Sequence, residues 1–174
     1  MKRKISMVCG LTVLILALVL INALLPKDFS GYYKNIDMAR KEQAEIYDNG
    51  VFICTQEADD RQMDFIIGND LTVIEIKSKD TFLGYKYRVM SIETISDFQE
   101  FLKEDIAYYD QHKELSFSYV SWIGGFPVKP IGKVFWSILP AQYSVTNLDD
   151  SVSKHNFTYE NVEYILYVKV EKVN

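Results

Sequence analysis

The side chains able to do chemistry are few. Cys54 is the only cysteine after the first 25 residues, and His112 and His155 are the only histidines. A cysteine beside a histidine is a thiol nucleophile with its base when the two lie within hydrogen-bond reach. Cys54 stands in Val51-Phe52-Ile53-Cys54. That run reads as a buried strand and not as a turn or helix N-terminus, where a thiolate is stabilised. Cys54 is therefore expected to be a small apolar core residue, and the histidines, beside Lys113 and Lys154, to be solvated surface.

Carboxylates offer a second chemistry. Glu57, Asp59, Asp60 and Asp64 crowd one stretch and Asp149-Asp150 another. Two carboxylates can divide acid and base roles, and several oxygens can hold Ca²⁺. The first group lacks the regular spacing of a calcium loop, and acids are common at turns for backbone reasons alone. With two histidines and one cysteine beyond residue 25, a structural zinc site is not implied, and no cofactor fingerprint is present. The remaining candidate is aromatic. Phe117, Tyr119, Trp122, Phe126, Phe135 and Trp136 bracket Gly124-Gly125-Phe126-Pro127, and aromatics on a rigid loop are frequent interface anchors. Most are expected in a sheet core. Phe126, after two glycines and before a proline, is the hardest to bury by strand alternation. Trp122, Phe126 and Trp136 are taken as the candidate binding residues.

The elements that must position these residues begin with a membrane segment. Met1-Lys2-Arg3-Lys4 is followed by Ile5 to Leu25 without one charged residue, a run that covers roughly 31 Å as a helix, about the thickness of a bilayer's hydrocarbon core. The basic residues before it keep the N-terminus cytoplasmic and send the rest across. A cleaved signal peptide with its exit near Ala23 is the alternative, which would leave a secreted domain. The uncleaved anchor is favoured because the apolar run is long and Ile21-Asn22-Ala23 places a bulky residue where a small one is preferred. Cys9 lies near the start of the run, not after its end as a lipidated cysteine would, and reads as a lipid-facing apolar residue.

Removing residues 1–25 leaves roughly 150 residues, the size of one domain with a real core. All 2 Trp, 12 Tyr and 10 Phe lie there, too many for a disordered stalk. The chain carries 19 basic and 24 acidic residues, and three of the basic ones precede the anchor. The remainder is thus more acidic than the whole and has no basic run, which argues against nucleic acid or anionic lipid headgroups as the main ligand. With one cysteine it has no internal disulfide, in keeping with a bacterial envelope. Asn156-Phe157-Thr158 matches a glycosylation sequon, a motif common by chance.

Phe29, Tyr32 and Tyr33 follow the membrane exit at headgroup height or pack as an ordinary linker. A helix is expected from about Asn35 to Asp48, stopped by a left-handed Asn49-Gly50. Strands are expected at Val51 to Glu57, Gln62 to Ile67, Leu71 to Ser78 and Thr81 to Ile92, with breaks at 58–61, 68–70 and Lys79-Asp80. In the last of them Leu83, Tyr85, Tyr87 and Val89 alternate with Gly84, Lys86 and Arg88, the period of a sheet with one wet face. A second helix runs from Ser96, with Gln99 completing a capping box. Further strands hold Leu115, Phe117 and Tyr119; Val134, Trp136 and Ile138; and Tyr164 to Val170, with a polar stretch over 147–156. The expected fold class is α+β: one N-terminal transmembrane helix (residues 1–25), then a single extracytoplasmic domain (26–174) with a largely antiparallel sheet and about two helices. The expected function is that of a single-pass membrane-tethered accessory or interaction domain, non-catalytic, which binds another envelope protein. The alternatives are an envelope hydrolase working through the carboxylates of 57–64, and a small-molecule or lipid-binding module with Tyr and Phe lining a cavity beneath the sheet.

Overall fold

A computed structural model describes residues 2–124, 129–143, 145 and 148–172, with side chains omitted for 2–10, 120–131 and 172. Phe126 therefore lies outside the described residues, as do the side chains of Cys9 and Trp122. The fold is α+β with two antiparallel sheets. Helix α1 (Lys2–Leu24) is continuous, and its large apolar side chains from Leu11 to Leu24 all remain exposed. Among the described residues no helix is long and apolar enough to cross a membrane.

The linker after α1 is tied to the sheet by its polar groups. The Asp28 carboxylate accepts the N–H groups of Ser30 and Tyr32 at 3.0 and 2.9 Å and pairs with Lys86 at 3.1 Å. Tyr33 and Tyr87 exchange backbone hydrogen bonds, and Tyr33 packs with the domain while Phe29 stays exposed. The helix expected over Asn35 to Asp48 is two short ones, α2 (Ile36–Lys41), capped by the Asn35 side chain, and α3 (Ala44–Asn49). They part at Glu42-Gln43, where N–H groups bond three residues back and Glu42 reaches out to Lys27 at 2.5 Å. Gly50 is not a left-handed stop, since its backbone is extended. A Cβ there would fall 2.4 Å from Ile66 Cγ2, so glycine is needed for close packing of α3 on the sheet.

The first sheet is a meander in the order β1 (Val51–Ala58), β2 (Arg61–Ile67), β3 (Leu71–Thr81), β4 (Gly84–Ile95). Met63, Phe65, Ile67, Leu71 and Val73 face one core, while Ile66, Ile74 and Ile76 face α2 and α3. Both faces of β2 and of the first half of β3 are covered, so that Arg61, Asp64, Thr72 and Glu75 are buried along with the apolar residues of these strands. The β3–β4 turn falls at Phe82-Leu83 and not at Lys79-Asp80, because Lys79 and Asp80 pair across the ladder with Lys86 and Tyr85. Nor is the alternation of β4 apolar-in at that end: Lys86 is buried, and Leu83 and Tyr85 are exposed.

Helix α4 (Phe98–His112) is capped by Asp97, whose side chain accepts the Glu100 N–H, so the cap sits one residue after Ser96. The second sheet has the order β5 (Ser118–Gly124), β6 (Lys129–Pro140), β8 (Val162–Lys172), β7 (Val152–Tyr159). Strand β7 occupies part of the stretch expected as polar loop. Its face toward the core carries Phe157, and the other core residues are from both sheets and α4: Phe65, Phe98, Leu102, Trp136, Ile138 and Leu166. The two sheets thus enclose one shared core. Phe65 meets Trp136 edge-on at 6.0 Å, and Phe157 stacks on Tyr164 at 5.4 Å.

Asp105 fastens α4 to β6. It is 3% exposed and accepts the Ser137 hydroxyl at 3.0 Å and the Ile138 N–H at 3.1 Å. Burial raises its pKa to about 6, and those two bonds pull it partly back. The folded chain therefore holds a proton that the unfolded chain has released, and stability falls as pH rises through the window from about 4 to 6. Asp105→Asn keeps an acceptor and removes the charge. The variant is expected to lose this slope and to be more stable than the parent at pH 7.5 by about 2 kcal/mol, read from chemical denaturation at pH 4.5 and 7.5.

Candidate functional site

On one side of the molecule β1 and β7 are joined, with the Ser153 hydroxyl donating to Gln56 Oε1 at 3.1 Å. On another, β4 and β5 flank an open cleft of about 400 Å³ lined by Glu93, Thr94, Ile95, Phe117, Ser118, Tyr119 and Trp136. That volume is within the range of ligand sites, at its lower end. Each wall is an edge strand. Among the described residues β5 pairs only with β6, and β4 pairs only with β3 apart from the Tyr33 bridge at Tyr87. Unpaired edges present a row of N–H and C=O groups able to accept another strand.

Two aromatics set the character of the cleft. Tyr119 is 56% exposed, tilted against Phe135 at 5.6 Å, with Lys133 Nζ at 4.7 Å from its ring. Trp136 is 2% exposed, and its Nε1–H is buried with no hydrogen-bond partner among the described residues. A buried donor left unpaired costs about 1–3 kcal/mol, and Trp136 belongs to the shared core, with Phe65 against its ring. Sequence reasoning named Trp136, Tyr119 and Phe117. It missed Glu93, Thr94 and Ile95, since the apolar alternation followed there stops at Ile92 and the strand continues to Ile95.

The other sequence candidates lie elsewhere. Asp64, on β2, is fully buried on the face under α2 and α3. Its Oδ2 accepts Arg40 Nε at 2.8 Å and the Tyr47 hydroxyl at 2.5 Å, and its Oδ1 accepts Arg40 Nη2 at 2.9 Å and the Thr55 hydroxyl at 2.6 Å. Burial and the bond to Asp64 push the Tyr47 hydroxyl upward from its ordinary pKa. Four donors on one carboxylate form a structural clamp between the helices and the sheet. Asp60 pairs with Arg61 and Lys77, each at 3.3 Å, and Glu57 accepts the Gln62 amide at 3.2 Å. The partners of Asp60 and Glu57 are thus other than the Arg40, Tyr47 and Thr55 that hold Asp64. Arg61 and Glu75 make a separate buried pair, with the Ser91 hydroxyl on Glu75 at 2.7 Å.

Cys54 is buried, and burial, with the nearby Asp64 charge, drives its thiol up to about 12. It is no nucleophile at neutral pH. His155, half-buried and lowered by that burial, lies 3.2 Å from the Ser153 hydroxyl, and His112 packs exposed on Tyr108 at 4.4 Å. Among the described residues no group of three or more His, Cys, Asp or Glu side chains is placed to hold a metal ion. Compared with known protein families, curated proteins and solved structures, the chain matches none.

Proposed function

We propose that this protein is a membrane-tethered, extracytoplasmic, non-catalytic interaction domain that holds an extended segment of another envelope protein in the β4–β5 cleft. The observation that carries the reading is the cleft itself, with two sheet edges unpaired among the described residues and an exposed tyrosine in its lining. An extended peptide supplies what each part lacks. Its backbone pairs with an edge strand and a side chain packs on Tyr119. The tether is α1. The support for it is the absence of charge from Ile5 to Leu25 in the sequence and the exposure of the apolar side chains from Leu11 onward.

Tyr119→Ala removes the exposed ring from the cleft and leaves the core in place. Tyr119 is 56% exposed, so stability is expected to change by less than about 1 kcal/mol. Capture of the partner segment is expected to weaken about tenfold, because the ring its side chain packs on is gone. Titration of the full chain with the captured partner checks this. Unchanged affinity would remove Tyr119 from the binding account.

A further inference from the structure

The tip of the β3–β4 hairpin is built in a way that water does not reward. Its two-residue turn is Phe82-Leu83, between the paired Thr81 and Gly84, where such turns ordinarily carry Asn, Asp or Gly. Gly84 supplies a φ of 102°, and the Thr81 hydroxyl donates to the Gly84 carbonyl at 2.5 Å and accepts the Leu83 N–H at 3.3 Å. The flanks hold the turn, and nothing in its geometry calls for apolar side chains. Yet Phe82 is 77% exposed, Leu83 55% and Tyr85 59%. The cation beside them is the buried one: Lys86 reaches the Asp28 carboxylate at 3.1 Å and the Asn22 carbonyl at 3.4 Å.

This inverted end of the hairpin lies at the exit of α1. Leu83, Tyr85 and Lys86 share a groove with Ala23 and Leu24. Phe29, 71% exposed, is held there by its N–H on the Asn22 side chain at 2.7 Å. We infer that Phe82 and Leu83, with Tyr85 and Phe29, enter the interfacial layer of the phospholipid bilayer in which α1 is anchored, as a second membrane contact that fixes the tilt of the domain. The inference rests on the anchor reading of α1. A bilayer is the occupant because the patch is continuous with the helix end which that reading places at headgroup depth. Phe, Leu and Tyr partition there, and the exposed Lys34 and Lys79 alongside can meet lipid phosphates. Strand β4 then acts as a spacer. About 11 residues separate Leu83 from Thr94, so the cleft is held roughly 35 Å from the tip, at the membrane-distal end.

The test uses the full chain reconstituted in phosphatidylcholine vesicles with plain or brominated acyl chains. Phe82→Trp is compared with Glu160→Trp, after subtraction of the parent's own tryptophan emission. Glu160 adjoins Tyr159, which lines a hollow with 68–70 at the opposite end of β3. Bromine is expected to quench the Trp introduced at 82 by about half and that at 160 by less than about a tenth. Equal emission from position 82 in both lipids, with the protein still resisting alkaline carbonate extraction, overturns the hairpin contact and leaves the anchor standing. Extraction of the parent by carbonate overturns the anchor reading, and the hairpin contact with it.

Discussion

Replacing Arg40 by methionine is expected to lower folding stability by about 3 kcal/mol. The physical reason is the company Arg40 keeps. Asp64 is fully buried, and the guanidinium supplies two of the four hydrogen bonds described for it and, among the described residues, the cation paired with it. Without it a carboxylate is left in the interior with two hydroxyl donors. The cost is placed at the low end of the range for broken buried pairs because Arg40 keeps 26% of its side-chain surface in water. Thermal unfolding of the full chain in detergent, followed by circular dichroism, should show a drop of about 6–12 °C. Arg40→Lys keeps the charge and loses the bidentate fork, so it should fall between. Adding Asp64→Leu to Arg40→Met should recover part of the loss, since both charges are then gone. A double variant less stable than Arg40→Met would show that the Tyr47 and Thr55 hydroxyls keep the Asp64 carboxylate net stabilising even without its cation.

The second large effect is expected in α1. Leu14→Arg with Leu18→Arg puts two guanidinium groups near the middle of the apolar run, at a cost of about 5–7 kcal/mol for insertion. The parent should stay with membranes through alkaline carbonate, and the double variant should be released. Intact mass of the parent from those membranes should include residues 1–25. A mass lacking about the first 23 residues would instead give the cleaved, secreted form.

What could be read from the sequence follows the strength of its periodicities. Helix α4 and strand β8 show one clear period each, whereas the double burial of β2 and β3 is masked by their buried polar residues Arg61, Asp64, Thr72 and Glu75. A period of two does not say which sheet a strand joins, so the division into two sheets sharing one core was not legible. The break between α2 and α3 and the packing role of Gly50 depend on tertiary contacts with Lys27 and Ile66. The same holds for the buried Lys86, whose partner Asp28 is in the linker. At the site, the aromatic residues could be named but not their arrangement. The cleft joins strands on either side of α4, and the unpaired Trp136 N–H is a property of its surroundings. Phe126, favoured by its loop, lies outside the described residues.

The central claim is that the β4–β5 cleft receives a segment of another protein. The most direct measurement is photocrosslinking in cells from benzoylphenylalanine in place of Tyr119, repeated with the cleft mouth filled by Thr94→Trp and with the probe moved to Glu160. The account predicts one discrete protein adduct from position 119 that is lost with Thr94→Trp and absent from position 160, with circular dichroism unchanged throughout. An adduct that survives Thr94→Trp, or no adduct from position 119, would contradict it.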